Sequence, residues 1–142
     1  MTRETWLAPA PESAVVARAL VREEADRHGL DESAVWDLML ATTEAVANAI
    51  EHGAPCAEGI RLVIGPCDIG MMVEVRDCGR GHIDPALAAR TVDAGFTDAV
   101  LDSSRGRGLP IIAAVTDRLE LSSGGPPTWV RFQKQSSPAA AA

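Results

Sequence analysis

The sequence predicts an α+β two-layer sandwich, a mostly antiparallel sheet with helices on one face. Two observations carry this. Residues 11–53 read as two consecutive capped helices, and residues 60–134 read mainly as alternating strands joined by turn chemistry. Two helical stretches, near 84–90 and after Gly108, interrupt the strands. At 142 residues the chain fits one domain, expected to span 1–135 with a low-complexity, disordered tail at 136–142.

The elements follow in order. Residues 4–8 suit a short strand, and Pro9 and Pro11 then punctuate the chain. Pro11 fits the first turn of a helix running to about His28, with Gly29 at its C′ position. Asp31 is an apt N-cap for a second helix that stops at Gly53-Ala-Pro55. Ile60–Ile64 and Met71–Asp77 alternate as an antiparallel pair around a Gly65–Gly70 turn. Asp84-Pro85 can open a short helix to about Arg90, and residues 91–105 have the size of a functional lid. After Gly106 and Gly108 comes a helix apolar nearly all round, expected to be buried. Arg118–Ser122 and Thr128–Lys134 supply the last strands around a turn at Ser123–Pro127.

Charge and composition exclude several functions. The net charge is −7, from 13 basic and 20 acidic residues, so no basic excess favours nucleic acid or an anionic membrane. Lys134 is the only lysine. A phosphate must therefore be held by backbone amides, a metal or arginine unless Lys134 contributes. No apolar run approaches membrane-spanning length; the longest is Leu109–Val115. With no apolar signal region either, a cytoplasmic location is expected. Cys56, Cys67 and Cys78 are odd in number and lack a C-x-x-C pair. That argues against a disulfide framework or zinc site, and reduced thiols are expected.

Three local patterns could carry chemistry. In the second helix Glu44, Asn48 and His52 form one row, four residues apart. A carboxylate there can take a proton and an amide oxygen can hold a hard cation; the alternative is a solvated polar face opposite Leu38, Thr42, Val46 and Ala49. Asp77-Cys-Gly-Arg-Gly81 puts a carboxylate at a strand end beside glycines that would let a flat base approach. Gly106-x-Gly108 before a helix fits a phosphate cradle. Arg105 and Arg107 either add charge to it or are solvated loop residues.

In this order the three patterns resemble the boxes of the GHKL ATPase superfamily, which includes gyrase, a heat-shock chaperone and histidine kinases. Glu44-Ala-Val-Ala-Asn48 resembles its N box, Asp77–Gly81 its first glycine box, and Arg105-Gly-Arg-Gly-Leu109 its second. Thr128 matches an adenine-site threonine. Within the superfamily, Thr43–Gly53 and Gly106–Asp117 are similar to the small bacterial anti-sigma-factor serine/threonine kinases.

The resemblance implies a Bergerat ATP-binding fold with ATP and Mg²⁺ as cofactors. It implies Glu44 as general base and Asn48 as metal ligand. Asp77, Gly79, Gly81 and Thr128 would form the adenine side. Arg105, Gly106, Arg107, Gly108 and Leu109 would lie on the phosphate side, and His52 has no assigned role. The implied activity is phosphorylation of a serine on an anti-anti-sigma (STAS-type) antagonist, coupled to sequestering a sigma factor, by a homodimer that touches neither nucleic acid nor membrane. The alternative is an ATP-binding regulatory module that sequesters its partner without phosphotransfer.

Overall fold

The computed structural model describes residues 2–54, 56–79, 108–122 and 127–136. The order is β1 (Arg3–Leu7), α1 (Glu12–Arg27), α2 (Glu32–His52), β2 (Ile60–Pro66), β3 (Gly70–Asp77), α3 (Gly108–Val115), β4 (Arg118–Leu121) and β5 (Thr128–Gln135). The strands form one sheet in the order β1-β2-β3-β5-β4, and every pairing is antiparallel. The expected α+β sandwich is therefore observed. The short helix at 84–90, the lid at 91–105 and nearly all of the tail lie outside the described residues.

The two long helices end as their sequences dictate. Gly29 at φ 75° takes the left-handed position after α1. It donates to the Asp26 carbonyl, and Leu30 N–H donates to the Ala25 carbonyl, each at 3.1 Å. This double closure satisfies carbonyls that the helix end would leave orphaned. Two residues after Gly29, the Asp31 carboxylate accepts from Ala34 N–H at 3.4 Å and starts α2. The resulting short connection makes α1 and α2 antiparallel neighbours.

The core lies between the helices and one sheet face. Leu62, Val75 and Val130 are cross-strand neighbours, as are Ile64, Val73 and Phe132. All are buried against Val21, Val35, Leu38, Val46 and Ile112. Thr42 is fully buried on this face of α2 because its hydroxyl donates to the Leu38 carbonyl at 2.7 Å, which offsets the cost of removing it from water. The helix expected to be buried all round is α3. Leu109 and Ile112 do enter the core, but Ala114 is exposed. Small apolar side chains bury little area, so a helix rich in them can sit at the margin.

The other sheet face is charged. Glu74 lies there and is nonetheless 4% exposed. Arg131 reaches it at 2.7 Å, Arg76 at 3.4 Å and Arg61 at 3.6 Å. Arg131 also lies 4.9 Å from the Trp129 ring centroid, within cation–π range. At the sheet edge Glu4 accepts from Arg61. That hydrogen bond holds the Glu4 carboxyl below its ordinary range. The tie is thus present above the ordinary carboxylate pKa and fades as pH falls through the lowered one.

Lys134 is accounted for within the fold. It pairs with Asp37 at 2.9 Å and donates to the Val115 carbonyl at 3.0 Å. It stands opposite Met71, six residues along β3 from Asp77, or roughly 20 Å away. The one lysine therefore joins α2, α3 and β5 and is remote from the end of β3.

Phe132 is the largest fully buried side chain. Phe132→Ala should destabilise the fold by about 3–5 kcal/mol, read as a fall in the urea midpoint with little change in slope.

Candidate functional site

The site is built at the C-terminal ends of α2 and β3. Strand register places Asp77 directly opposite Thr128. Both are buried, at 2% exposure each. A carboxylate in such a place needs hydrogen bonds. Asp77 Oδ1 accepts from Gly79 N–H at 2.6 Å and from Ala54 N–H at 3.4 Å. Thr128 Oγ1 donates to the Gly79 carbonyl at 2.8 Å. Gly79 is thereby held through both its N–H and its carbonyl, and two of the predicted adenine-side residues, Asp77 and Thr128, meet over a third.

The chain leaving α2 forms the neighbouring wall. Cys78 N–H donates to the Ala54 carbonyl at 2.8 Å. At Gly53 an added Cβ would stand 2.5 Å from Asp77 Oδ2 and 2.7 Å from the Ala49 carbonyl. At Gly79 it would stand 2.7 Å from Asp77 Oδ1 and 2.8 Å from Ala54 N. The carboxylate thus lies directly on backbone that only glycine leaves open. Gly53 had been legible as a helix stop, while its contact with Asp77 depends on a residue 24 positions away.

Glu44 and Asn48 are half-buried on α2. Helix rise puts Asn48 about 7.5 Å and Glu44 about 13.5 Å back along the axis from Gly53. Glu44 and Asn48 thus lie back along α2 from the end that meets β3. Among the described residues no group of three or more His, Cys, Asp or Glu could hold a metal ion. An ion held by the Asn48 oxygen would need its other ligands from water and phosphate, which is how Mg²⁺ is ordinarily bound.

Of the remaining expected residues, Gly108 opens α3. Leu109 is 4% exposed and belongs to the hydrophobic core. His52 is the last residue of α2. Gly81, Arg105, Gly106 and Arg107 lie outside the described residues. The expectation of reduced thiols is corrected for two of the three cysteines. Cys56 and Cys78 form a disulfide with Cα atoms 5.0 Å apart, while Cys67 is free. Sequence spacing could not reveal the pair, because the approach of residues 53–56 to residues 77–79 is a tertiary contact.

A sequence family described as the histidine kinase-like ATPase domain matches residues 7–134. The chain belongs to that family. Its members are ATPase domains, which implies ATP binding, and the Asp77–Thr128 corner lies inside the matched span. No curated protein matches the chain by sequence.

Solved structures agree on the fold. A Mycobacterium tuberculosis chain holding RsbU and RsbW domains superposes with a TM-score of 0.68 at 22% identity, over 97% of this chain and 33% of that one. This chain thus spans about a third of that relative. The SiaB–SiaC complex from Pseudomonas aeruginosa gives a TM-score of 0.58 at 12% identity, covering 93% and 87%. The histidine kinase domain of a blue-light-activated kinase from Erythrobacter litoralis gives 0.55 at 15% identity, covering 92% and 63%. At these identities the likeness establishes architecture. No helix among the described residues is long and apolar enough to cross a membrane.

Gly53→Ala should push the Asp77 carboxylate off its amides. The expected result is a loss of about 1–3 kcal/mol of stability by urea unfolding, together with weaker ATP binding by calorimetry.

Proposed function

We propose that this protein is an anti-sigma factor with ATP-dependent serine kinase activity, which phosphorylates a STAS-type antagonist and sequesters a sigma factor. The observation that carries the reading is the buried Asp77–Gly79–Thr128 corner at the end of α2 in a histidine kinase-like ATPase domain, with Glu44 and Asn48 on that same helix. Support for the regulatory setting comes from the neighbours, an RsbW domain and a SiaB–SiaC complex. The family resemblance adds a cytoplasmic homodimer.

In this reading Asp77 accepts the adenine amino group, and Thr128 holds the Gly79 peptide against the base. Gly79 and Gly81 leave room for the ring. Gly106 and Gly108 offer backbone N–H groups to the phosphates, with Arg105 and Arg107 adding positive charge and Leu109 held in the core. The Asn48 amide oxygen holds Mg²⁺, which when bound offsets phosphate charge. Glu44 takes the proton from the attacking serine hydroxyl. Positioning and electrostatics then supply most of the rate.

The test uses ATP labelled at the γ-phosphate, Mg²⁺ and a panel of STAS-type antagonists. A labelled serine is expected. Glu44→Ala should lower transfer by about 100-fold or more with ATP affinity unchanged, whereas Asp77→Asn should weaken ATP binding itself. ATP binding without transfer to a cognate antagonist would leave a sequestering module. Absence of any ATP-dependent rise in melting temperature, which binding to the native state must produce, would remove the nucleotide reading altogether.

A further inference from the structure

One feature of the corner plays no part in the proposed phosphotransfer. Cys56 and Cys78 are joined, and each stands beside a wall of the site. Cys56 follows Gly53 and Ala54, and Cys78 separates Asp77 from Gly79. Cys56 lies beyond the end of α2, and Cys78 immediately follows β3. Their other ties are hydrogen bonds, Cys78 N–H to the Ala54 carbonyl at 2.8 Å and Ala54 N–H to Asp77 Oδ1 at 3.4 Å. The disulfide is the covalent fastening between the exit of α2 and the exit of β3.

We propose that Cys56–Cys78 is a redox modification site, acted on by a dithiol–disulfide couple, whose oxidised form locks the adenine wall and raises ATP affinity. The inference rests on the nucleotide-binding reading above. Three observations support it. Cys78 is exposed and Cys56 half-buried, and exposed disulfides are among the labile, regulatory ones. The pair closes a separation of 22 residues, long enough for its opening to free real chain entropy. Finally, the joined segments include the two glycines that contact the Asp77 carboxylate. A shift of either segment therefore reaches Asp77 directly.

The chemistry balances by thiol–disulfide exchange. A thiolate of an external dithiol attacks the Cys78 sulfur, and Cys56 leaves as a thiolate and is protonated. The reductant's second thiolate attacks its own sulfur in the mixed disulfide, which releases Cys78. Two electrons pass to the protein, its two thiols gain two protons, and the reductant leaves as its disulfide. A disulfide oxidant reverses each step. Cys67 cannot substitute. It sits in the β2–β3 turn, next to the far end of β3, roughly 23 Å along the strand from Asp77.

The test is Mg-ATP calorimetry on the full chain, oxidised with glutathione disulfide and then reduced with dithiothreitol, with thiols counted in each state. One reactive thiol is expected before reduction and three after. Reduction should raise the Kd roughly 3- to 10-fold, as a pocket that is competent only part of the time requires, and reoxidation should restore it. Cys56→Ser should show the weaker value under both conditions. Three thiols after oxidation, or equal Kd values in the two states, would overturn the redox site and leave the nucleotide reading standing. No ATP binding in either state would overturn both.

Discussion

The site depends on one constraint, a carboxylate held nearly out of water at the end of a sheet strand. An ionised group so placed costs several kcal/mol unless its oxygens are hydrogen-bonded (about that order for a relaxed interior). Asp77 meets the requirement with backbone donors from Gly79 and Ala54. That choice has consequences along the chain. Backbone can approach a carboxylate so closely only where no Cβ intervenes, which calls for glycine at 53 and at 79. It also requires α2 to end at that point, so that Ala54 can turn its N–H toward β3. The length of α2, the hairpin register and both glycines are aspects of the same arrangement.

The charged face of the sheet solves a similar problem differently. Glu74 is as buried as Leu109, yet it is covered by guanidinium groups from three positions on two neighbouring strands and its own. Arginine suits this because its planar fork can bond a carboxylate while its stem covers apolar surface. Removing one partner would leave the others, so this cluster tolerates change in a way the Asp77 corner does not. There the donors from Gly79 and Ala54 come from backbone whose position is fixed by the fold.

Much of the fold was legible because its signals are local. Asp31 as N-cap, Gly29 after α1, the alternation of Met71–Asp77 and the turn before it all rest on rules that act within a few residues. The assignment of Glu44, Asn48, Asp77 and Thr128 to one site came only through the order of the boxes, since no single pattern specified a site; the strand register brings Asp77 and Thr128 together. What escaped the sequence is what tertiary contact creates. Alternation along Met71–Asp77 sets Glu74 on the face opposite Val73 and Val75, but its burial needs arginines from β2 and β5. Gly53 read as a helix stop and proved also to be the floor under Asp77. Cys78 read as a reduced thiol, and its disulfide partner lies across the corner.

The position of α2 explains why one helix can serve both stability and chemistry. Its core face carries Val35, Leu38, Val46 and Ala49, and these fix its rotation against the sheet. With the rotation fixed, residues four apart must align, so Glu44 and Asn48 share a row on a flank that the core does not claim. Its axial position is fixed separately, at one end by Asp37 bonded to Lys134 and at the other by Ala54 bonded to Cys78 and Asp77. Sliding the helix by one residue would move its row about 1.5 Å and break both ties at once. The distance from Asp77 to Asn48 is therefore set by packing and end contacts together.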